Sequence, residues 1–462
     1  MSKKRITELI LDSWNCRDGN VNSTADILAW LNELNRNTSV KIKETQTSEN
    51  SFWFYDQTAG RIVNRSRGFF SVAGMKYFVD GSLRGEQPII VQNEIGFLGI
   101  IVKEIDGVLN FLMQAKVEPG NVNGFQLSPT IQATKSNFTR VHGGLLPRYF
   151  EWFDKASQHG AILYDQIQSE QGNRFIGKRN RNIIIMIKDD IELHPNYKWM
   201  TLGQIKRLMK IDNVINMDTR TVLSGLPVVF SQEVSGENDG SFSDKALYRS
   251  IYGGDAEQVT AAFTMLNNYK MHKNIDKFYV PLHELSGWML DECGCTCAHA
   301  ADFDVRYYDI EIEGREVKSW MQPLFKARTQ GLFVLFTRVE DGIRRFLISR
   351  CPEIGCFDEV EFGPSIQIAN LDTCDKGDFL YKIYERHLKE NRGIMNNVML
   401  SEEGGRFYHE QNRNIVMEIA PDELREMPEG CLWVNYATLN ILLRHNNLLN
   451  IQLRNLISLL DN

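Results

Sequence analysis

The sequence predicts an α+β fold that is present twice, because the chain repeats itself and because strands precede helices in each copy. At an offset of 235 residues, Glu118 aligns with Glu353 inside a long gap-free match. Later in each copy, residues 169–175 (SEQGNRF) match residues 401–407 (SEEGGRF) at an offset of 232. A repeat of this length indicates a duplicated structural unit.

Apolar periodicity predicts the elements inside each copy. Spacing typical of a helix occurs over residues 25–35, and apolar runs bounded by turn residues predict strands. The predicted strands are residues 69–72, 88–92, 96–105 and 108–115, and the later helices are residues 147–158, 202–210, 218–223 and 439–460. Asp106 and Gly107, with the repeat partners Asp341 and Gly342, predict tight hairpins because these residues tolerate positive φ. Strands before helices favour α+β domains over a parallel βαβ sheet.

The joint between the copies is expected in a polar stretch, residues 233–245. Its Gly, Ser and Asn content is typical of a linker. We therefore expect two tandem domains, residues 1–235 and residues 236–462.

Composition excludes several classes of function. The net charge is -7, with 52 basic and 59 acidic residues, which disfavours a nucleic-acid-binding protein. The N-terminal apolar stretch is interrupted by Glu8 and Asp12, so neither a signal peptide nor a membrane span is predicted. The 8 Cys residues form no framework of the small secreted type, and we expect reduced thiols in a cytoplasmic protein.

One polar window, residues 114–144, stands apart from the rest of the chain. Neutral amides and hydroxyls dominate it, and these are the groups that orient a polar ligand such as a sugar or a base. The candidate ligand-binding residues in it are Asn121, Gln126, Ser128, Thr130, Gln132, Thr134, Ser136, Asn137 and Arg140. The alternative is an ordinary polar surface loop.

The same window carries a resemblance to a known family. The matching segments are residues 69–74 (FFSVAG), 87–99 (QPIIVQNEIGFLG), 114–121 (QAKVEPGN), 126–134 (QLSPTIQAT), 136–144 (SNFTRVHGG), 148–153 (RYFEWF), 315–324 (REVKSWMQPL) and 361–369 (EFGPSIQIA). The chain resembles the dTDP-4-keto-6-deoxyglucose 2,3-dehydratases over nearly its whole length. The resemblance departs at Asn64, where family members often have His, so we predict no catalytic role there.

This resemblance implies a fold, an activity and partners. It implies two tandem Nudix-like domains, a nucleotide site in each, a homodimer, and a downstream 3-ketoreductase that takes the product. The implied reaction removes the C2 hydroxyl of a dTDP-4-keto-6-deoxyhexose and gives a 3,4-diketo-2,6-dideoxy sugar. The first domain would be catalytic and the second nucleotide-binding or structural.

That elimination requires a base, an acid and donors for an oxyanion. Lys116 and Glu118 lie two residues apart near a strand end, so both side chains should face one way. His142 is the third catalytic candidate, because its pKa lies nearest the working range. Which residue is the base and which the acid stays open. Lys116 aligns with Cys351 in the second copy, which favours chemistry in the first copy.

Nucleotide recognition needs aromatic faces, cations and amides. The candidates are Trp53, Trp288 and Trp320 for stacking on the base, Arg140, Arg306 and Arg315 for the pyrophosphate, Gln132 and Gln367 for the edge of the base, and Tyr307 as a further contact. Any single Trp is more often a core residue.

The sequence predicts no cofactor and no metal. Neither a dinucleotide-binding GxGxxG nor a P-loop is present, and the acidic box of Nudix hydrolases is absent. Cys293, Cys295, Cys297 and His299 alternate along one stretch, but structural zinc sites usually draw their ligands from separate segments. Two alternatives to the dehydratase remain, a non-catalytic nucleotide-sugar binding protein and a nucleotide-sugar hydrolase or epimerase.

Overall fold

The computed structural model describes residues 3–138, 146–228, 242–298, 301–315 and 317–461. The elements of the first repeat are α1 (Lys3–Asn15), α2 (Thr24–Asn37), β1 (Val40–Thr45), β2 (Trp53–Asp56), β3 (Arg61–Asn64), β4 (Ser71–Val79), β5 (Ser82–Val91), β6 (Gly96–Ile105), β7 (Val108–Val117), β8 (Phe125–Ser128), β9 (Ile131–Ala133), α3 (Lys135–Phe138), α4 (Phe150–Asp154), α5 (Ala156–His159), β10 (Gly160–Ser169), β11 (Arg179–Ile187), β12 (Tyr197–Thr201), α6 (Leu202–Leu208) and α7 (Met217–Ser224).

The second repeat has the corresponding order of elements. They are α8 (Lys245–Tyr252), α9 (Ala256–His272), β13 (Ile275–Val280), β14 (Trp288–Asp291), β15 (Gly294–Cys297), β16 (Phe303–Ile312), β17 (Ser319–Ala327), β18 (Leu332–Glu340), β19 (Ile343–Cys351), β20 (Glu361–Gly363), β21 (Ile366–Ile368), α10 (Phe379–Glu390), β22 (Ile394–Ser401), β23 (Phe407–Tyr408), β24 (Gln411–Glu418), β25 (Cys431–Asn435), α11 (Tyr436–Leu443) and α12 (Ile451–Ser458), with short 3₁₀ helices at Leu282–Glu284 and Pro421–Glu423. The predicted joint near residue 235 lies outside the described residues, so the two-domain division stays a prediction.

The predicted hairpins are confirmed. Asp106 and Gly107 have φ values of 48° and 80°, and Asp341 and Gly342 have 53° and 73°. Two consecutive positive φ angles are the geometry in which a two-residue loop matches the twist of its strands. The β6–β7 and β18–β19 pairs therefore close where the sequence placed their turns.

The single Leu-rich helix predicted over residues 439–460 is wrong. α11 ends at Leu443 and α12 begins at Ile451. Between them Asn447 has a φ of 55°, which a helix cannot accommodate, and the Asn450 side chain caps α12 by accepting from the Leu453 amide at 3.0 Å. Apolar residues continue at helical spacing between α11 and α12. Asn447 interrupts the helical backbone there, and Asn450 starts the second helix. The helix predicted over residues 147–158 is likewise divided into α4 and α5.

Each repeat has a large sheet of mixed direction, so a mixed α/β architecture is confirmed. In the first repeat the order is β10-β11-β6-β7-β12, with β8 on β7 and β9 on β6. β11 runs parallel to β6 and the other neighbours are antiparallel. In the second repeat the order is β20-β19-β18-β24-β22, and β24 runs parallel to β18. Neither large sheet is the parallel βαβ sheet that the sequence disfavours, although each contains one parallel strand pair.

The smaller sheets exchange a strand between the repeats. β1, from the first repeat, pairs with β16, and Val40 lies opposite Ile312. β13, from the second repeat, pairs with β4, and Ile275 lies opposite Val79. Each smaller sheet is therefore completed by the leading strand of the other repeat.

The repeats also share a core. Buried residues of both large sheets form one apolar cluster, to which Phe111 and Phe346 belong, together with residues of α1, α6 and α12. α7 packs against α12, and the Arg220 side chain on α7 donates to the Ser401 carbonyl at 2.7 Å. Arg454 on α12 donates to the Ser169 carbonyl in the same way. No helix in the described part of the chain is long and apolar enough to cross a membrane.

Candidate active site

A cavity of about 510 Å³ lies beside the large sheet of the first repeat, within the size range of small-molecule sites. It is formed by the ends of β7 and β9, the start of α7 and segments of the second repeat. Its polar lining residues are Asn64, Ser66, Gln92, Lys116, Glu118, Gln132, Thr134, Asn137, Glu170, Lys178, Asn180, Asp218, Arg315, Gln322, Glu403 and Arg406, with Phe52, Phe69, Phe175 and Trp320 among the apolar ones.

Lys116 and Glu118 face the same way, as predicted. Lys116 Nζ lies 2.7 Å from Glu118 Oε1, and Arg315 Nη2 lies 2.8 Å from Glu118 Oε2. Burial alone would raise the pKa of Glu118, but the charges of Arg315 and Lys116 outweigh it and hold the pKa at about 2. Glu118 is therefore an ionised carboxylate with a cation on each oxygen.

Three buried carboxyls that sequence reasoning missed line the same cavity. Burial and the negative charge of Glu403 raise the pKa of Glu170 to about 7. Burial, reinforced by Glu170 and Glu403, raises the pKa of Asp218 well above its usual range. Burial also raises the pKa of Glu403 and lowers that of Lys178. Oppositely perturbed carboxyls in one cavity are typical of acid–base chemistry.

Gln132 is fixed in the cavity wall by two donors. Its Oε1 accepts from Ser128 Oγ at 2.9 Å and from Asn216 Nδ2 at 3.2 Å. Ser128 itself is fully buried, so it supports Gln132 from behind. Because Oε1 already accepts two hydrogen bonds, the Nε2 group of Gln132 remains to donate to a ligand.

Thr134 and Asn137 form a local turn at the start of α3. Asn137 Oδ1 accepts from the Thr134 amide at 3.0 Å and from Thr134 Oγ1 at 2.6 Å. Both residues line the cavity. Asn64, where the family resemblance departs, is also there, and its buried Nδ2 has no hydrogen-bond partner within the described residues.

Three other candidates from the polar window are used inside the fold. Thr130 Oγ1 accepts from the Ile101 amide at 2.9 Å and donates to a β7 carbonyl at 2.5 Å. Asn121 Nδ2 donates to the Gly124 carbonyl at 2.8 Å, which closes a turn. Gln126 is buried and bonds across the repeats to Ser401 Oγ at 3.0 Å. Polarity in the window thus reflects structural hydrogen bonds as well as a ligand site.

Of the nucleotide-binding candidates, the cavity contains Arg315 and Trp320 in addition to Gln132. Trp320 Nε1 donates to Gln322 Oε1 at 3.0 Å, and the Arg315 guanidinium lies 5.8 Å from the Trp320 ring centre. Trp53 and Tyr307 are each 1% exposed and pack in an apolar core.

The remaining candidates lie elsewhere or outside the description. Trp288 packs on Phe303, and Arg306 faces Glu44 at 3.6 Å. Gln367 lines a second, smaller cavity. Arg140, His142 and the side chain of Ser136 lie outside the described residues, so their roles stay predictions.

The matching cavity of the second repeat measures about 90 Å³. Gln367 Nε2 donates to Glu353 Oε1 at 2.8 Å, which ties together the two repeat partners of Gln132 and Glu118. Burial and the charge of Glu361 raise the pKa of Glu353 to about 8. Glu353 is therefore neutral at pH 7, in contrast to Glu118.

Each cavity is built from both repeats. Residues 403–406 of the second repeat line the large cavity, and residues 171–174 of the first line the small one. The Gly120 amide donates to the Gly404 carbonyl at 2.7 Å, and Gly355 makes the same bond in the second repeat. A side chain at Gly120 would meet backbone at 1.6 Å, so glycine is required for this approach. The sequence favours catalysis by the first repeat, and the second repeat forms part of the wall of the same cavity.

Cys293, Cys295 and Cys297 do not all lie within one strand. β15 begins at Gly294, so Cys293 precedes the strand, and Cys295 is buried in the apolar core. His299 is not described. Among the residues with described positions, no three His, Cys, Asp or Glu side chains are grouped to hold a metal ion.

The chain is similar to known proteins along nearly its whole length. The sequence model of the NDP-hexose 2,3-dehydratase family matches residues 24–226 and 260–460. A protein of Saccharopolyspora spinosa, described as a dTDP-4-dehydro-6-deoxy-alpha-D-glucopyranose 2,3-dehydratase, is 34% identical over 443 residues, covering 94% of this chain and 90% of that protein. Proteins of Streptomyces violaceoruber and Amycolatopsis orientalis with the same description are 34% identical over 446 and 456 residues, covering 95% and 96% of this chain and 97% and 91% of the relatives.

Proposed function

Because the chain belongs to the NDP-hexose 2,3-dehydratase family, we propose that it is a hydro-lyase that removes the C2 hydroxyl of a dTDP-4-keto-6-deoxyhexose. The product is a 3,4-diketo-2,6-dideoxy sugar of deoxysugar biosynthesis. The observation that carries the proposal is the cavity in which Lys116, Glu118 and Arg315 stand beside buried carboxyls of raised pKa. A protein that only binds a nucleotide sugar would not need this combination of paired cations and carboxyls with raised pKa.

The reaction needs the C3 proton removed next to the C4 ketone. Lys116 donates to the ketone oxygen and stabilises the enolate that forms there. Arg315 pairs with the pyrophosphate. Once the substrate engages these cations, Glu118 loses both ion pairs and its pKa rises, so the carboxylate becomes basic enough to take the C3 proton. The cations that hold Glu118 ionised in the free protein thus become ligands of the substrate.

The direct test is mass spectrometry of the purified protein with dTDP-4-keto-6-deoxyglucose. The dehydratase should convert the substrate to a species that has lost one water. Unchanged substrate with measurable nucleotide binding would support the non-catalytic binder instead. Release of a nucleoside monophosphate would support the nucleotide-sugar hydrolase.

Dehydration is expected to proceed in EDTA without added NAD or metal. The elimination has no net redox step, and the sequence contains no dinucleotide-binding or Nudix metal motif. Turnover should be measured before and after dialysis against chelator. Loss of activity that zinc restores would show that the Cys293, Cys295 and Cys297 stretch binds a metal after all.

Replacing Trp320 by Ala is expected to weaken dTDP binding about tenfold, because an aromatic stacking partner contributes roughly 1 kcal/mol beyond its area. Isothermal titration calorimetry measures the change. Trp288→Ala is the matched control, since Trp288 is not among the residues that line the large cavity. Equal weakening by both substitutions would contradict a base-stacking role for Trp320.

The same titration counts the nucleotide sites. The duplication, with Gln132 and Gln367 at matching positions, predicts up to two per chain. The second cavity holds about 90 Å³, so a nucleotide there requires residues of its wall to move aside. A stoichiometry of one would show that the small cavity binds no nucleotide.

We also propose the finer features that the family resemblance implies. Each repeat is a Nudix-like unit, which a superposition on a solved Nudix domain would test. The chain forms a homodimer, which light scattering of the purified protein would test. The protein is cytoplasmic and passes its reactive diketone to a 3-ketoreductase, which a coupled assay with that enzyme would test.

A further inference from the structure

We infer that Asp218 is a further catalytic residue, the proton donor that turns the C2 hydroxyl of the substrate into departing water. This inference rests on the proposed dehydration and assigns one of its steps. Asp218 lies in the first turn of α7, is 2% exposed and lines the large cavity. Its Oδ1 has no hydrogen-bond partner within the described residues.

The fold does not account for this carboxyl. A buried polar atom without a partner destabilises a protein unless water or a ligand satisfies it. The N-terminus of α7 is already capped by Asn216, whose Oδ1 accepts from the Thr219 amide at 2.9 Å. Asp218 is therefore not needed to cap its own helix.

The second repeat provides an internal comparison. α12 corresponds to α7, and Arg454 makes the bonds there that Arg220 makes in α7. At the position of Asp218, α12 has Gln452, which lines the small cavity. The same helix thus folds with an amide at this position, and the carboxyl is specific to the large cavity.

The other acids of the cavity have structural partners. Glu170 Oε1 accepts from Asn180, although its Oε2, like Asp218 Oδ1, has no partner within the described residues. Its repeat equivalent Glu402 accepts from Asn412, so an acid at this position belongs to the framework of both repeats. Glu403 Oε1 accepts from the amide of Gly405 at 2.9 Å, which ties Glu403 to its own turn. Both oxygens of Glu118 carry cations, as described above. Asp218 differs from Glu170 because the matching position of α12 holds Gln452 and not an acid, so this carboxyl is particular to the large cavity.

The surroundings of Asp218 raise its pKa and so favour its protonated form. Burial is the largest influence, Glu170, Glu403 and Glu118 raise its pKa further, and Lys116 opposes them. A neutral carboxyl can donate a proton, whereas the ionised Glu118 can only accept one. The cavity therefore contains an acid and a base that are set apart by their environments.

With Glu118 as the base and Asp218 as the acid, every proton and electron pair of the elimination is accounted for. The base takes the C3 hydrogen as a proton, and the C–H electron pair forms the C4 enolate. The enolate then restores the C4 ketone, a C2=C3 double bond forms, and the C2–O bond breaks with its electrons on oxygen. That oxygen takes the Asp218 proton and leaves as water. The enol at C3 becomes a ketone, and exchange with solvent returns the base and Asp218 to their starting states.

The test compares Asp218→Asn and Asp218→Gln with the wild-type protein. Asp218→Gln copies the residue that α12 contains, so it should preserve the helix. We expect turnover to fall about 100-fold or more for both, with dTDP affinity and thermal midpoint close to wild type. In deuterium oxide the substrate should still exchange its C3 hydrogen, because the base is intact. Asp106→Asn, a change of the same kind in the exposed β6–β7 turn, should leave turnover unchanged.

The results of these experiments distinguish a failure of the role of Asp218 from a failure of the proposed dehydratase function. If the wild-type protein removes no water, the proposed function fails whatever the variants do. Turnover within about threefold of wild type in either folded variant would overturn the role of Asp218 and leave the function standing. Loss of both C3 exchange and dehydration, with dTDP binding retained, would make Asp218 the base and overturn its role as donor. If Asp218→Asn does not fold, Asp218→Gln decides.

Discussion

Glu118→Gln is expected to lower turnover by about two to four orders of magnitude, the loss typical of a missing general base. The amide keeps the shape of the side chain but has no negative charge to take the C3 proton or to position Lys116 and Arg315. Glu353→Gln, at the matching position, should leave turnover near normal, because Glu353 is neutral and bonded to Gln367. Steady-state rates of water loss measure both.

Deuterium exchange at C3 of the substrate distinguishes the role of Glu118 from that of the acid. A variant without the base should lose exchange together with dehydration, whereas one without the acid should keep exchange. If Glu353→Gln abolishes turnover while Glu118→Gln retains it, the active site lies in the second repeat. Retained exchange in Glu118→Gln would show that another group removes the C3 proton.

Arg220→Ala is expected to lower the free energy of unfolding by about 3–6 kcal/mol. Arg220 is 1% exposed, and it donates to the Ile215 carbonyl at 2.5 Å and to the Ser401 carbonyl at 2.7 Å. Hydrogen bonds from a charged group contribute about 1.5–3 kcal/mol each, and the substitution leaves two buried carbonyls without their donor. Urea denaturation measures the loss.

Arg454→Ala should cost a similar amount, because Arg454 makes the equivalent bonds to Leu449 and Ser169. Arg207→Ala is the surface control. Its ion pair with Asp18 is 2.6 Å long but exposed, and such pairs contribute about 1 kcal/mol or less. If Arg220→Ala were no more destabilising than Arg207→Ala, the buried arginines would not hold the repeats together.

Local features of this protein could be predicted from its sequence. β6 begins and ends where its apolar run does, and the hairpin at Asp106 forms because Asp-Gly adopts the angles of the turn. The shared direction of Lys116 and Glu118 follows from the two-residue period of a strand. Each of these features is determined by neighbours in the chain.

Features that depend on distant partners could not be predicted. Nothing in the sequence of β1 indicates that this strand pairs with β16 rather than with a strand of its own repeat. Thr130 and Gln126 resemble ligand-binding residues in composition, and only the fold shows that their partners are protein groups. Asp218 lies in a short helix far from the polar window, and comparison of α7 with α12 was the one signal that could have identified it.

The exchanged strands also constrain how a duplicated gene of this kind can change. A copy that is released from catalysis is usually free to be lost, yet deleting the second copy here would remove β13 from the sheet of the first. It would also remove residues 403–406 from the wall of the large cavity. An ancestor that had exchanged strands could therefore no longer return to a single copy. Duplication with strand exchange is in this sense irreversible.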